Sequence, residues 1–174
     1  AEAGHTRYLG LSEASVDQIE RCNRIHPVSS VQTELSLFSR GALDDVVPYC
    51  LEHDIVFIAY APLSRGLLPG QITSDTDLDP NDMRRGSQRL STPVMSANTE
   101  SIIDPIRQYA DELGLTASQV ALAWVLAQGD NIAAIPGTQH LNHLEENMQA
   151  AFVTLTKEWL AHLDNLPQAA GARY

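Results

Sequence analysis

The chain is 174 residues long, enough for one well-cored domain and short for two, and its 44% hydrophobic and 19% charged residues are ordinary for a globular protein in water. No apolar run approaches the roughly 18 residues that a bilayer-crossing helix needs. The 22 Asp and Glu against 11 Lys and Arg leave a net charge of -11, which repels nucleic acid and anionic lipid, so neither nucleic acid nor membrane is an expected partner.

The N-terminal stretch AEAGHTRYLG lacks an initiator Met, a basic region and an apolar signal core, and reads as a start in mid-protein. A first strand is predicted over Arg7–Leu11. A helix then opens at Ser15, with Gln18 as its capping-box partner and Val16, Ile19 and Cys22 on one face. A second strand, Ser30–Thr33, leads to a helix striped by Leu43, Val46, Val47, Cys50 and Leu51, in which Pro48 marks a kink or an early turn. The third strand, Ile55–Tyr60, runs into APLSRG. A long loop at about 67–98, most polar from Gln71 to Asn98, is too extended for a plain connection and reads as a functional or partly disordered segment.

Beyond it, Ile102, Ile103, Ile106, Ala110 and Leu113 stripe a helix that Gly114 stops. Thr116 and Gln119 cap the next, which carries Val120, Ala121, Trp124 and Val125 as far as Gly129. A fourth strand, Ile132–Ile135, enters PGTQHLNHLEENMQA, whose helix is expected to turn Leu141, Leu144 and Met148 inward. A last helix starts at Thr156 and stacks Leu160, Leu163 and Leu166. Strands alternating with helices imply an α/β fold with a parallel sheet in one domain, 1–174. Cys22 and Cys50 fall on apolar stripes and read as buried thiols of a reducing, cytoplasmic compartment, with no spacing that supports a disulfide.

In parallel β/α folds, functional groups gather at the carboxyl ends of strands, where loops begin and helix N-termini point unpaired amides outward. Each predicted strand here ends in polar residues: Ser12 and Glu13, Gln32, Tyr60 to Gly66, and Gly137 to Asn147. Singly they are weak signals. Ser12 suits a loop hydroxyl, Gln32 a bonded core amide, Tyr60 a rim aromatic, and Gly137-Thr138 before a helix suits either an ordinary turn or a phosphate cradle. His140, His143 and Glu146 have the helical spacing of a three-ligand metal set, but their first-turn position favours a solvated or cofactor-facing stripe. GLSEA lacks the second Gly of a nucleophile elbow, and no Walker A loop is present.

Taken together and in order, RYLGLSEAS, SVQTELSLFSR, FIAYAPLSRGLL and IPGTQHLNHLEEN resemble the C-terminal half of an aldo-keto reductase, closest to the bacterial aryl-alcohol-dehydrogenase-like branch, over about Arg7 to Leu166. That family is a (β/α)8 barrel that reduces carbonyls. The resemblance implies NADP(H), or alternatively NAD(H), as cofactor. It implies that Ser12 and Gln32 hold the carboxamide, with Glu13 where most members have Asn, and that Tyr60 stacks on the nicotinamide. Pro62, Leu63, Ser64, Arg65 and Gly66 would wrap the pyrophosphate. Gly137, Thr138 and Gln139 would lie at the adenosine phosphate, His143 at the ribose or its 2′-phosphate, and Glu146 with Asn147 at the adenine.

The chain departs from the family at Gln139, His140, Leu141 and Asn142, where Lys or Arg is customary, and at Gln71, where some members have Lys. Arg84, Arg85 and Arg89 crowd into the long loop, and Arg84 or Arg85, folding over the cofactor, would restore part of that charge. The family's catalytic Asp, Tyr, Lys and His belong to strands that this chain does not match, and Lys157, its one lysine, is misplaced to substitute. No catalytic residue is therefore assigned. Four β/α units cannot close a barrel, so the expected partners are the missing N-terminal half or a second copy, and a small carbonyl compound if the assembly is catalytic. The alternative reading is a non-catalytic nucleotide-binding or self-assembly module of the same fold.

Overall fold

The computed structural model describes residues 4–70, 72–82 and 84–172; Gln71 and the first three residues of the N-terminal stretch, both singled out above, lie outside them. Four strands form the sheet: β1 (Gly10–Ser12), β2 (Ser30–Glu34), β3 (Val56–Tyr60) and β4 (Ile132–Ile135). They are hydrogen-bonded in sequence order and parallel throughout. β1 is shorter than the predicted Arg7–Leu11 because its ladder with β2 spans only Gly10 to Ser12, and Tyr8 before it is exposed.

The α-helices are α1 (Val16–Asn23), α2 (Val46–Glu52), α3 (Thr92–Asn98), α4 (Asp104–Leu113), α5 (Ala117–Leu126), α6 (Leu141–Gln149) and α7 (Lys157–Asp164), the last two after β4. Ser15 and Gln18 close the capping box of α1, and Thr116 with Gln119 does the same for α5, as their spacing predicts. Pro48 sits in the first turn of α2, where its missing N–H is one of the helix's orphan donors, so it does not kink the helix. Thr92 to Leu113 is helical throughout: α3 passes through a π-turn at Thr99–Ile103 into α4, just where Pro105 withholds an amide from the regular ladder. The long segment after β3 is thus partly helical, with short 3-10 turns at Asp75–Asp77 and Gln88–Leu90.

The core lies between the sheet and its helices. Val31, Phe57 and Ala59 project from one sheet face onto Ile19 of α1 and Val46, Val47 and Cys50 of α2. Ile102, Ile103 and Ile106 join them from the α3–α4 arm, and every residue of α5 from Ser118 to Val125 is buried. Each large apolar side chain so enclosed contributes about 1.5–3 kcal/mol.

Among the described residues no helix layer covers the opposite sheet face, although Glu34 at the end of β2 is buried there. Val56 and Ile135 on it are 42% and 46% exposed. The expectation that Leu141, Leu144 and Met148 turn inward is also overturned: they are 71%, 48% and 61% exposed, and α6 buries none of its residues. The helical period was read correctly. The side of α6 that meets this chain is instead defined by Glu146 and the Gln119–Gln149 bond, leaving the leucine stripe on the far side.

Candidate functional site

Strand register stacks the polar ends in two tiers. Ser12, Gln32, Ile58 and Ala133 are successive Cα partners across the sheet, and one step nearer the carboxyl ends are Glu34, Tyr60 and Ile135. Ser12 and Gln32 are therefore neighbours, as the sequence reading requires of residues sharing one ligand group. Tyr60 is half-buried between Glu34 and the end of β4. Glu13, in a left-handed conformation at φ 52°, turns its carboxylate across to β2, where Oε1 accepts the Glu34 amide at 3.1 Å.

Beyond β3 the backbone is strained. Ala61, Ser64 and Arg65 have φ of 47°, 50° and 57°, followed by Gly66 at 89°. Such left-handed non-glycine residues cost of order 1–3 kcal/mol each and collect where the surrounding structure over-determines them for function. The amides of Ser64, Gly66 and Leu67 bond back to the carbonyls of Ala61, Leu63 and Ser64, so the turn presents side chains more than a row of open N–H groups. The buried Ser64 hydroxyl meets that of Ser36 at 2.9 Å.

This turn forms one wall of a cleft of about 310 Å³ lined by Glu34, Ser64, Arg65, Leu67, Arg84, Arg85, Gly86, Ser87, Arg89 and Leu90. The arginine-bearing segment crosses over the turn and is tied down. Arg84 grips Asp82 through Nε to Oδ1 at 2.9 Å and Nη2 to Oδ2 at 2.6 Å, and its Nη1 donates to the Arg65 carbonyl at 2.8 Å. Those bonds hold the Asp82 carboxyl down at about 2 and raise the Arg84 guanidinium. Arg84 is a strut between loop and turn, while Arg85 donates to the Leu78 carbonyl at 3.3 Å.

At the cleft's inner wall, Arg89 donates from Nη1 and Nη2 to the Ser39 hydroxyl at 3.2 Å, and Ser39 donates to Glu34 Oε1 at 2.7 Å. Sequence reasoning noted Arg89 only as one of three crowded arginines, and passed over Glu34, Ser39 and Asp82. The period-two pattern that places Gln32 on a face also places Glu34 there, and an acid that deep in a sheet demands a cation.

The segment after β4 is arranged differently. Thr138 Oγ1 accepts the His140 amide at 3.1 Å, and the His140 and His143 rings meet edge-on at 5.2 Å. Glu146 Oε1 accepts the Thr116 hydroxyl at 2.5 Å, so this carboxylate anchors α6 to the start of α5. Gly137, Thr138, Gln139, His143, Glu146 and Asn147 are not among the described residues lining the arginine cleft; nor are Ser12, Gln32, Tyr60, Pro62, Leu63 and Gly66. Gly66 is nonetheless adjacent, since a Cβ on it would stand 3.4 Å from Arg84 Nη1. Among the described residues no group of three His, Cys, Asp or Glu is disposed to hold a metal, and no helix is long and apolar enough to cross a membrane.

A parallel β/α sheet whose polar and cationic groups lie beyond its strand ends is an α/β fold of the kind that binds ligands at the carboxyl ends of its strands. The aldo/keto reductase family model matches residues 1–167, and the chain belongs to that family. It is 41% identical over 181 residues to the Schizosaccharomyces pombe protein "Aldo-keto reductase yakc", whose name carries NADP(+); the match takes in 99% of this chain and 52% of that protein. A glycerol dehydrogenase from Gluconobacter oxydans superposes with a TM-score of 0.84 at 28% identity, over 94% of this chain and 50% of its own. An aldo-keto reductase from Klebsiella pneumoniae in complex with NADPH does so at 0.68 and 25%, over 94% and 49%. The chain spans about half the length of the curated relatives it matches.

Proposed function

We propose that this chain is the cofactor-binding half of an NAD(P)H-dependent aldo-keto reductase, reducing a small aldehyde or ketone to an alcohol when a second polypeptide closes the barrel. The observation that carries the reading is that Arg65 and Arg85, with Arg84 as a strut between them, line one cleft at the left-handed turn Ser64–Gly66, in a chain whose net charge is -11. An acidic protein that concentrates cations in one cleft has built it for an anion, and the residues fit the diphosphate of a dinucleotide. NADP(H) is favoured by the relatives that name it. NAD(H) is the second candidate, because residues 137–147 hold no Lys or Arg to meet a 2′-phosphate.

In this reading Ser12 and Gln32 bond the carboxamide, Tyr60 stacks on the nicotinamide ring, and Arg65 and Arg85 neutralise the diphosphate held by Pro62 to Gly66. The bound cofactor supplies a hydride to the carbonyl carbon. This chain's part is to hold and orient that donor; the group that protonates the carbonyl oxygen belongs to the partner half. Gly137 to Gln139 and His143 hold the adenosine ribose side, with Asn147 and Glu146 at the adenine. Thr116 already engages Glu146, so that carboxylate reaches a nucleotide only by sharing its oxygens. The chain works as one unit over its whole length, in a reducing cytoplasmic setting.

Fluorescence titration of the purified chain with NADPH and with NADH tests the binding role, and micromolar affinity for NADPH is expected. Turnover of an aromatic aldehyde is expected only when the N-terminal half of the S. pombe relative is added. If neither nucleotide binds, the reading is wrong; if the lone chain turns over, the proton donor has been misassigned. Nucleotide binding without turnover in the reconstituted pair would instead favour a non-catalytic binding or assembly module, a reading that the open sheet face and the exposed α6 stripe also suit.

A further inference from the structure

Two charged residues are almost wholly buried beside the arginine cleft, Glu34 at 4% and Arg89 at 8% exposure, and the proposed cofactor contacts use neither. They are linked to each other and to the loop between them. Ser39 bridges them, Arg89 Nη2 donates to the Phe38 carbonyl at 3.3 Å, the guanidinium lies 5.7 Å from the Phe38 ring centre, and the two charges approach to 3.9 Å. The pair joins two parts of the chain that are distant in sequence: Glu34 ends β2 as the Cα partner of Tyr60, while Arg89 lies in the 3-10 turn that closes the arginine segment.

The far side of that turn is held too. The Ala172 amide donates to Gln88 Oε1 at 3.1 Å, and Asn98 exchanges two hydrogen bonds with Ala170, at 3.1 and 2.7 Å. A Cβ on Gly171 would come within 3.4 Å of the Arg89 backbone nitrogen and of its Cγ. The segment from Leu78 to Leu90 is therefore pinned over the Ser64–Gly66 turn at two points: one is the exposed Arg84 bond to the Arg65 carbonyl, the other the buried Glu34–Ser39–Arg89 unit.

We propose that Glu34, Ser39 and Arg89 are positioning residues that hold Arg84 and Arg85 over the Ser64–Gly66 turn, so that the anion affinity of the cleft depends on a buried ion pair that is not itself a ligand contact. The inference rests on the cofactor reading for the identity of the anion, but not for the placement of the loop. Removing one partner leaves the other buried without this counter-charge, whereas replacing both by neutral residues takes the two charges out of the interior together. The two single changes and the double change must then be strongly non-additive.

The test follows tryptic cleavage after Arg84 and Arg85 in the ligand-free chain, and affinity for NADPH and for inorganic pyrophosphate, in Glu34→Gln, Arg89→Gln, the double variant and the milder Ser39→Ala. Circular dichroism identifies the folded variants. Cleavage about tenfold faster and both affinities about tenfold weaker are expected for each single charge removal, with smaller shifts for Ser39→Ala and substantial recovery in the double variant. Unchanged cleavage in every folded variant, or a double variant as impaired as the two singles combined, overturns the proposal. If the unaltered chain binds neither nucleotide nor pyrophosphate, the cofactor reading fails, while the cleavage rates still decide whether the pair holds the loop.

Discussion

At the residue scale the cluster around Trp124 shows how this chain stabilises polar atoms inside its core. The indole is fully buried and donates to Asp164 Oδ1 at 2.7 Å, and Arg40 sits 5.8 Å from the ring centre while donating to the Asp164 and Leu166 carbonyls. Burial lowers the Arg40 pKa, and the Asp164 charge works against that shift. Asp164→Ala strands a buried N–H and removes the nearest counter-charge, so a loss of about 1–3 kcal/mol is expected in urea unfolding. The cysteines offer a second check. Desolvation pushes the Cys50 thiol up to about 11 from 9.0, so it stays protonated at neutral pH and its thiolate fraction is small. Iodoacetamide at pH 8 should modify the half-buried Cys22 well before Cys50. Because the folded state holds the Cys50 proton more tightly, its contribution is complete below pH 9 and is lost as pH rises through about 11. A denaturation midpoint that rose across that window would contradict the assignment.

At the scale of elements, helix boundaries were the most legible feature, because caps are local chemistry. Ser15, Thr116, Thr156 and Gly114 all act where their sequence neighbours imply. Gly114 ends α4 in the left-handed conformation at φ 64°, and a Cβ there would meet nothing within 4 Å. Gly114→Ala therefore isolates backbone strain from steric crowding and should cost about 1–2 kcal/mol by thermal unfolding, with Gly114→Asn costing less. That Leu141, Leu144 and Met148 face away from this chain was not legible, because periodicity reveals that a helix has an apolar face without saying what covers it. The arginine cleft was half legible. Crowding of Arg84, Arg85 and Arg89 is visible in the sequence, yet their different fates depend on Asp82, Glu34 and Ser39, contacts that range from two to 55 residues apart.

At the scale of the whole molecule, the four-stranded parallel sheet has, among the described residues, one face without a helix layer and unpaired edges at β1 and β4, a surface that the proposed partner would cover. Closure by a second copy would set the β4–α6 edge of one chain against the β1–α1 edge of the other. The exposed residues of α1 include Asp17, Gln18, Glu20 and Arg21, a poor cover for Leu141, Leu144 and Met148, and each copy carries a charge of -11. Under the proposed function the occupant is an N-terminal half, and relatives about twice this length supply the precedent. Leu144→Glu discriminates between this closure and a free-standing module. Leu144 is 48% exposed and belongs to no part of this chain's core, so the substitution should leave the unfolding free energy of the isolated chain within the spread usual for surface changes, about 0.5 kcal/mol. Mixed with the N-terminal half of the S. pombe relative, it should bury a carboxylate against an apolar helix and weaken association at least tenfold by analytical ultracentrifugation. Equal association of the two forms would place the partner elsewhere and leave the stripe without a role in closure.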